Sequence, residues 1–151
     1  MFVLNLPLTN LKIRKREGKE YVWDGLREQY VRLTPEEFVR QHFISYLIGY
    51  KNYPSGRLAN EVAISLANVS KRCDTILYDD FLQPLMIIEY KAPTVSIDQK
   101  TFDQITRYNM SLKVPWLVIS NGIQHFCCRV GETDVIFEKE IPNYEELKVK
   151  K

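Results

Sequence analysis

The segment Leu85–Lys91 constrains the fold of this chain more than any other part of its sequence. It reads Leu-Met-Ile-Ile-Glu-Tyr-Lys, so four apolar residues precede its first charge. A continuous apolar run of this length is typical of a β-strand that is buried on both faces. Because such a strand needs other elements packed on it, we predict that Leu85–Lys91 lies near the centre of a sheet flanked by helices.

Turn signals and hydrophobic periodicity predict the remaining elements around this strand. An N-terminal hairpin is predicted over Leu11–Trp23, with its turn at Arg16–Lys19, and a linker follows over Asp24–Leu33. Helices are predicted from Thr34 to a terminating cluster at Gly49–Gly56 and over Asp98–Lys113. Further strands are predicted over Leu58–Ala67, Lys71–Tyr78, Trp116–Ile119, Gln124–Val130 and Asp134–Phe137.

This order of elements predicts the α/β (α+β) class, with a mixed sheet core flanked by helices and an N-terminal β-hairpin. A chain of 151 residues suits a single domain. We divide it into a hairpin and linker (residues 11–33), a core (residues 34–138) and a polar tail (residues 139–151). The tail is expected to be frayed or weakly helical.

The first helix has a strong start signal. Thr34 suits the N-cap, Pro35 suits the first helical position, and Glu36 and Glu37 lie in the first turn, where the helix dipole favours acids. The three-residue spacing from Thr34 to Glu37 also predicts a capping box.

Composition narrows the possible functions. The net charge of +2 neither supports nor excludes a nucleic-acid partner. Three cysteines, two of them adjacent, predict no disulfide framework, and two histidines without a Cys-x-x-Cys motif predict no zinc site. We therefore expect a cytoplasmic protein whose cysteines pack as small apolar residues.

Two charged residues lie at the end of the apolar strand. Glu89 and Lys91 are two residues apart, so their side chains share one face of the sheet. Asp74 lies on the preceding predicted strand, and the short turn between the two strands would bring it close to Glu89. Two carboxylates beside a lysine can hold Mg²⁺ and stabilise charge on a phosphate. The pattern therefore predicts metal-assisted hydrolysis of a phosphodiester.

The spacing Glu-x-Lys by itself is not specific. It occurs at Glu17/Lys19, Glu89/Lys91 and Glu146/Lys148. Only the middle pair lies on an apolar strand with an acid on a neighbouring strand. The alternative interpretation is that Glu89 and Lys91 form an ordinary ion pair at the end of a strand.

Other candidate ligands of a phosphate lie near this strand. Gln104 and Tyr108 are four residues apart, so they share one face of the second helix, although both could be ordinary surface residues. Lys71 and Arg72, next to Asp74, are expected to bind a nucleic-acid phosphate.

A basic cluster lies in the first hairpin and contains Arg14, Lys15, Arg16 and Lys19. We favour a solvated hairpin tip, and contact with a DNA backbone is the alternative. Trp23 and Trp116 are both expected in the core.

Five passages between about Leu11 and Val130 together carry a family resemblance. They are Tyr21–Arg27, Leu33–Gln41, Arg72–Ile76, Ile87–Pro93, and Phe102–Gln104 continuing through Arg107–Asn109 to Leu117–Gly122. In these passages the chain resembles the N-terminal nuclease domain of type I restriction enzyme R subunits, a member of the PD-(D/E)XK superfamily.

The resemblance implies a restriction-endonuclease-like fold and a Mg²⁺-dependent endonuclease acting on DNA, with Mn²⁺ as a substitute metal. It implies Asp74, Glu89 and the Tyr90 carbonyl as metal ligands, and Lys91 as the catalytic lysine. A helicase or translocase subunit, or a specificity subunit, is a further expected partner.

The resemblance also assigns roles on the two helices. Gln104 and Tyr108 match a Gln-x-x-x-Tyr feature that such domains share with recombination nucleases, which implies a catalytic role for Gln104 and DNA contacts for both. Glu36 matches an acid of the first helix that often completes the metal site, and Glu37 is the alternative for that role.

Two departures from the family pattern bear on function. Cys73 stands where the class name has proline, although Arg72-x-Asp74 is a common variant. The sequence also contains no Gly-x-x-x-x-Gly-Lys-Ser/Thr motif, so it is either a nuclease-like module by itself or a piece of something longer. Three hypotheses follow: a metal-dependent endonuclease, a nucleic-acid-binding module with an idle site, or an interaction domain in which Glu89 and Lys91 are only an ion pair.

Overall fold

The structure is a computed structural model that describes residues 2–66 and 68–150. The strands are β1 (Ile13–Arg16), β2 (Lys19–Asp24), β3 (Gln29–Arg32), β4 (Leu58–Leu66), β5 (Val69–Tyr78), β6 (Pro84–Tyr90), β7 (Trp116–Ser120), β8 (His125–Val130) and β9 (Val135–Glu138). The helices are α1 (Pro35–Tyr50), α2 (Gln99–Met110) and α3 (Tyr144–Lys150), with a 3₁₀ turn at Ser55–Arg57. The predicted bounds at Met1, Ala67 and Lys151 lie outside the described residues.

The strands form two sheets. The larger has the order β4-β5-β6-β7-β8-β9, in which β6 and β7 are parallel and every other neighbouring pair is antiparallel. The smaller is an antiparallel β1-β2-β3 sheet. Residues 85–90 are all buried, as are residues 116–120. This confirms the central strand, the mixed sheet and the α/β class predicted from the apolar run.

The two faces of the large sheet are covered by different helices. Met86 and Ile88 of β6 belong to a core that includes Phe43 and Leu47 of α1 and Leu147 of α3. The alternate residue Ile87 belongs to a second core with Phe102 of α2. The period of two along β6 therefore places successive side chains in opposite layers.

Local signals explain where the hairpin and the two longer helices begin. Glu17 and Gly18 have φ angles of 53° and 77°, the left-handed pair that a tight hairpin turn requires. The Thr34 side chain accepts a hydrogen bond from Glu37 N at 3.0 Å. Asp98 likewise accepts from Thr101 N at 2.8 Å, so α2 begins one residue later than predicted.

Three expectations are corrected. The predicted linker contains strand β3, because Gln29–Arg32 pairs with β2. Trp23 is 36% exposed on the outer face of the small sheet and is not in the core, whereas Trp116 is fully buried. Of the two alternatives for the tail, the frayed one is wrong and the helical one holds: the tail contains α3, whose Leu147 is fully buried and whose Leu147 carbonyl accepts a hydrogen bond from Trp116 Nε1 at 3.3 Å.

None of the helices in the described ranges has the length and apolar character needed to cross a bilayer.

Candidate functional site

The β5–β6 hairpin brings the two predicted carboxylates together. Thr75 of β5 pairs with Ile88 of β6, so Asp74 and Glu89 occupy the next position along the two antiparallel strands. Asp74 Oδ2 accepts a hydrogen bond from Tyr90 N at 2.9 Å, which fixes this side chain to β6. The predicted proximity of Asp74 and Glu89 is confirmed.

Regular pairing is interrupted next to Asp74. Asn60 pairs with Thr75 and Val62 pairs with Cys73, but no such pair joins Glu61 to Asp74, and Glu61 has a φ of 56°. In a regular strand, residues three apart point to opposite faces. Lys71 and Asp74 nevertheless line the same cleft. We attribute this to the irregularity, since such features commonly re-aim side chains beside functional sites.

The carboxylates lie in a cleft of about 380 Å³ between β5, β6, α2 and the start of α1. Its lining residues are Glu36, Lys71, Asp74, Glu89, Tyr90, Lys91, Gln104, Ile105, Tyr108 and Asn109. All the predicted site residues except Arg72 are therefore brought to one place. The Arg72 side chain is 68% exposed and its Nε lies 3.5 Å from Glu61 Oε2, outside this lining.

Glu89 forms its ion pair with Lys71, through Oε1 and Nζ. The same Nζ lies 5.6 Å from the centre of the Tyr108 ring. Burial lowers the pKa of Lys71, and the nearby Cys73 and Asp74 act in the opposite direction. Within the described residues no ion pair joins Glu89 to Lys91, so the alternative in which these two residues simply pair with each other is wrong.

Lys91 extends the central strand into the cleft. Its backbone N–H donates to the Ser120 carbonyl at 2.9 Å, which continues the pairing between β6 and β7 by one residue. Gln104 and Tyr108 face Lys91 from α2, and Tyr108 is 50% exposed. Residues of β5 and α2 thus surround the end of β6, and the half-exposed Tyr108 leaves this end of the cleft open to solvent.

Glu36 and Glu37 have different environments. Glu37 is 4% exposed and accepts hydrogen bonds from Arg27 Nη2 at 2.8 Å, Arg40 Nη2 at 2.9 Å and Gln41 Nε2 at 2.9 Å. Burial would raise the pKa of Glu37, but these donors hold it below its usual value. Glu36 is exposed and lines the cleft. Of the two acids, Glu36 lines this cleft and Glu37 does not, so Glu36 is the better placed for the role of helix acid.

Two contributors to the site were not anticipated from the sequence. Arg40 Nη1 donates to the Asp74 carbonyl at 2.6 Å, and its guanidinium lies 5.6 Å from the centre of the Tyr90 ring. Asn109 lines the cleft and is held by a hydrogen bond from Nδ2 to the Ile105 carbonyl at 2.8 Å. The signal for Arg40 was its spacing of three residues from Glu37 on one helix, which predicts an ion pair but not the bond to β5.

The oxygen donors of the cleft suit Mg²⁺. Among the residues that the structure describes, no group of three or more His, Cys, Asp or Glu side chains could hold a metal ion. The donors that the strand register brings together are the carboxylates of Asp74 and Glu89. This set fits Mg²⁺, which binds hard oxygen ligands, commonly uses only one or two carboxylates and retains several waters.

Comparison with known proteins gives matches to the part of the chain that forms this cleft. The sequence model of the family described as Type I restriction enzyme R protein N terminus matches residues 35–142. No curated protein sequence matches the chain. Among solved structures, a chain of a cryo-EM DrdV–DNA complex aligns with a TM-score of 0.46 and 18% identity. That alignment covers 67% of this chain and 10% of the DrdV chain, so this chain spans a small part of that protein.

Proposed function

This chain belongs to the family described as Type I restriction enzyme R protein N terminus, and from that premise we propose that it is a Mg²⁺-dependent DNA endonuclease domain. The observation that carries the proposal is the placement of Asp74 and Glu89 on adjacent strands, in one cleft with Lys91. Two carboxylates in a largely apolar sheet centre have a chemical use as metal ligands, whereas as structural groups they are costly.

The residues that would hold Mg²⁺ are Asp74, Glu89 and the Tyr90 carbonyl, with Glu36 approaching from α1. Mn²⁺ would serve as a substitute. When bound, the metal would supply a water of lowered pKa and polarise the scissile phosphate. Because Tyr90 N donates to Asp74 Oδ2, the other oxygen of that carboxylate would be the one to bind the metal.

The cations of the cleft would act on the substrate. Lys91, at the end of β6, would orient the attacking water and stabilise negative charge on the phosphate oxygens. Gln104, as an uncharged donor on α2, would hold a non-bridging oxygen, and Tyr108 would contact the backbone or a base. Lys71 would neutralise a phosphate from inside the cleft, and Arg72 would contact a neighbouring phosphate from its rim.

A second candidate is a DNA-binding module with an idle site. The ion pair between Lys71 and Glu89 favours it, because one of the two predicted metal ligands already has a cationic partner. This candidate predicts DNA binding without metal binding and without cleavage. Under either candidate we propose a cytoplasmic protein that works with a helicase, translocase or specificity subunit.

Calorimetric titration of Mn²⁺ tests the metal site without knowledge of the DNA sequence. We expect the wild type to bind and Asp74→Asn to lose binding. Glu17→Gln is the matched control, since Glu17 belongs to the same Glu-x-Lys spacing but lies exposed in the hairpin turn. Binding by the wild type and by Glu17→Gln alone would support the endonuclease.

Cleavage assays then separate the two candidates. Supercoiled, linear and single-stranded DNA would each be incubated with Mg²⁺ and with EDTA, using the wild type and Asp74→Asn. Cleavage that requires both Mg²⁺ and Asp74 is the expected result. DNA binding with no Mn²⁺ binding and no cleavage would instead establish the idle module.

A further inference from the structure

The outer face of the small sheet carries cations and aromatic rings but no acids. The register places the side chains of alternate residues of β1, β2 and β3 on this face. Its cations are Lys12, which directly precedes β1, and Arg14, Arg16, Lys19 and Arg32. Its aromatic residues are Tyr21, Trp23 and Tyr30. We call this set the basic aromatic face.

The opposite face of the same sheet has another character. Val22 and Asp24 are buried there against the rest of the molecule. Lys15, which also points to that side, lies directly opposite Glu20. The inner side therefore carries both acidic and basic residues, whereas the charged residues of the outer side are all basic.

Sheet stability does not explain this segregation. Arg16 and Lys19 lie directly opposite each other, and like charges at that position destabilise a sheet. Arg14 and Arg32 flank Tyr21 on the two neighbouring strands. An anionic ligand with several charges would offset the repulsion, and a nucleic-acid backbone is such a ligand.

Between these cations, Trp23 is exposed and Tyr21 and Tyr30 are half-buried. Trp23 and Tyr30 form an edge-to-face pair with centroids 5.3 Å apart. Lys12 Nζ lies 5.5 Å from the Trp23 ring and the Arg14 guanidinium lies 4.2 Å from the Tyr30 ring. Rings interleaved with cations on an exposed surface provide stacking positions for bases and nearby contacts for phosphates.

We propose that the basic aromatic face binds single-stranded DNA, with unpaired bases stacked on Trp23 and Tyr30 and phosphates held by the surrounding cations. Single strands fit better than a duplex because stacking on a protein ring requires a base that is free of its own stack. The proposal is independent of metal binding in the cleft.

The face is continuous with the candidate active site. Arg32, at its edge, also lines a cavity of about 280 Å³ whose other walls include Glu36, Asp74 and Tyr90. These three residues line the larger cleft as well. A DNA strand bound on the face would therefore lie beside this cavity, whose walls also include Arg27, Arg40, Glu37 and Glu61.

Intrinsic fluorescence tests the proposal directly. Trp116 is fully buried and Trp23 is exposed, so a ligand that stacks on the sheet should alter the signal of Trp23 alone. The titration uses oligo-dT of about 20 nucleotides in EDTA, which removes any contribution from a metal site. We expect quenching that saturates and an affinity that falls steeply with salt. Unchanged fluorescence at saturating oligonucleotide would overturn the proposal.

Matched variants identify the contacts in the same assay. Trp23→Ala is expected to weaken binding to labelled oligo-dT about tenfold, through loss of stacking. Arg14→Gln should weaken it and reduce the slope of log affinity against log salt by roughly one. Lys15→Gln removes the adjacent charge on the opposite face and should change the affinity less than about twofold.

Two results of the variant assay would contradict the proposal. One is an equal loss of affinity in Lys15→Gln and Arg14→Gln, which would show that only total charge matters. The other is equal affinity for a duplex of the same length, with the same dependence on Trp23. Circular dichroism of each variant verifies the fold, and wild-type quenching decides the question if Trp23→Ala does not fold. Failure of the Mn²⁺ titration would leave all of these results unaffected.

Discussion

At the scale of single residues, three buried carboxylates, those of Asp24, Glu37 and Glu89, are each paired with a cation. Glu37 accepts from two arginines, Asp24 accepts from Arg27, and Glu89 pairs with Lys71. A buried charge without such a partner would cost several kcal/mol, so removal of one member of a pair is expected to destabilise the fold. They also decide which carboxylates remain for chemistry, because Glu37 is committed to structure and Glu36 is not.

Lys71 is expected to weaken the binding of metal in the cleft. Lys71→Gln removes the cation that pairs with Glu89, so we predict that Mn²⁺ binds about tenfold more tightly than to the wild type. Calorimetric titration measures the change. Arg72→Gln is the matched control, because the adjacent Arg72 side chain is 68% exposed and pairs with Glu61 away from the cleft. Weaker binding by Lys71→Gln would show that Lys71 supports the metal site and does not compete with it.

At the scale of secondary-structure elements, α3 closes one core. Its residues Tyr144 and Leu147 are three apart, so they share one face of the helix, and both lie in the core formed by α1 and the large sheet. Tyr144 also contacts the core ring of Tyr53, with centroids 6.2 Å apart. The last described helix is thus an integral part of the domain, although most of the residues around it are polar.

Removal of one side chain from α3 tests this conclusion. Leu147→Ala is expected to lower the free energy of unfolding by about 2–5 kcal/mol, because it leaves a cavity against Trp116 and its neighbours. Val149→Ala, in the same helix but at a side chain that is 85% exposed, should change it by less than about 0.5 kcal/mol. Urea unfolding compares the two variants with the wild type. Equal, small effects of both substitutions would mean that α3 is not docked in solution.

At the scale of the whole molecule, a polar network joins the small sheet to the large one. Asp24, at the end of β2, accepts hydrogen bonds from Asn60 Nδ2 of β4 at 3.0 Å and from Leu26 N at 2.9 Å. Asn60 Oδ1 in turn accepts from the Thr75 hydroxyl of β5 at 2.7 Å. The small sheet, with its basic aromatic face, is therefore anchored to the strands that carry the candidate site.

This network makes the stability of the protein sensitive to acid. Burial would raise the pKa of Asp24, but hydrogen bonds from Arg27, Asn60 and Leu26 hold it below its usual value. A carboxyl group with a lowered pKa in the folded state stabilises the protein fully above its unfolded value of about 3.9. This contribution is lost as the pH falls through the lower, folded pKa.

The corresponding prediction concerns Asp24→Asn. We expect it to reduce the free energy of unfolding by about 2–3 kcal/mol at neutral pH, with a smaller difference from the wild type below about pH 4. Urea unfolding at neutral and acidic pH measures both values. Glu20→Gln, an exposed acid on the same strand, serves as the control for loss of charge. A difference that stays constant down to about pH 3 would contradict the assigned role of Asp24.

The sequence by itself determined the elements whose signals lie within a few residues. The apolar run placed β6 at the centre, Thr34 and the residues after it marked the start of α1, and the short turn before β6 placed Asp74 beside Glu89. Each follows from periodicity, capping or chain connectivity. These depend on residues that are close together in the sequence, so they can be predicted from it.

Only the tertiary structure decided which cation meets Glu89, which helix acid faces the cleft and which face of the small sheet is exposed. Alternation along β5 would have placed Lys71 away from Asp74, but the interrupted pairing opposite Glu61 brings both into the cleft. For a similar reason Trp23, expected in the core, is exposed, and Leu147, in a tail expected to be polar, is fully buried. The burial of a residue depends on which distant parts of the chain pack against it, and the local sequence pattern does not identify those parts.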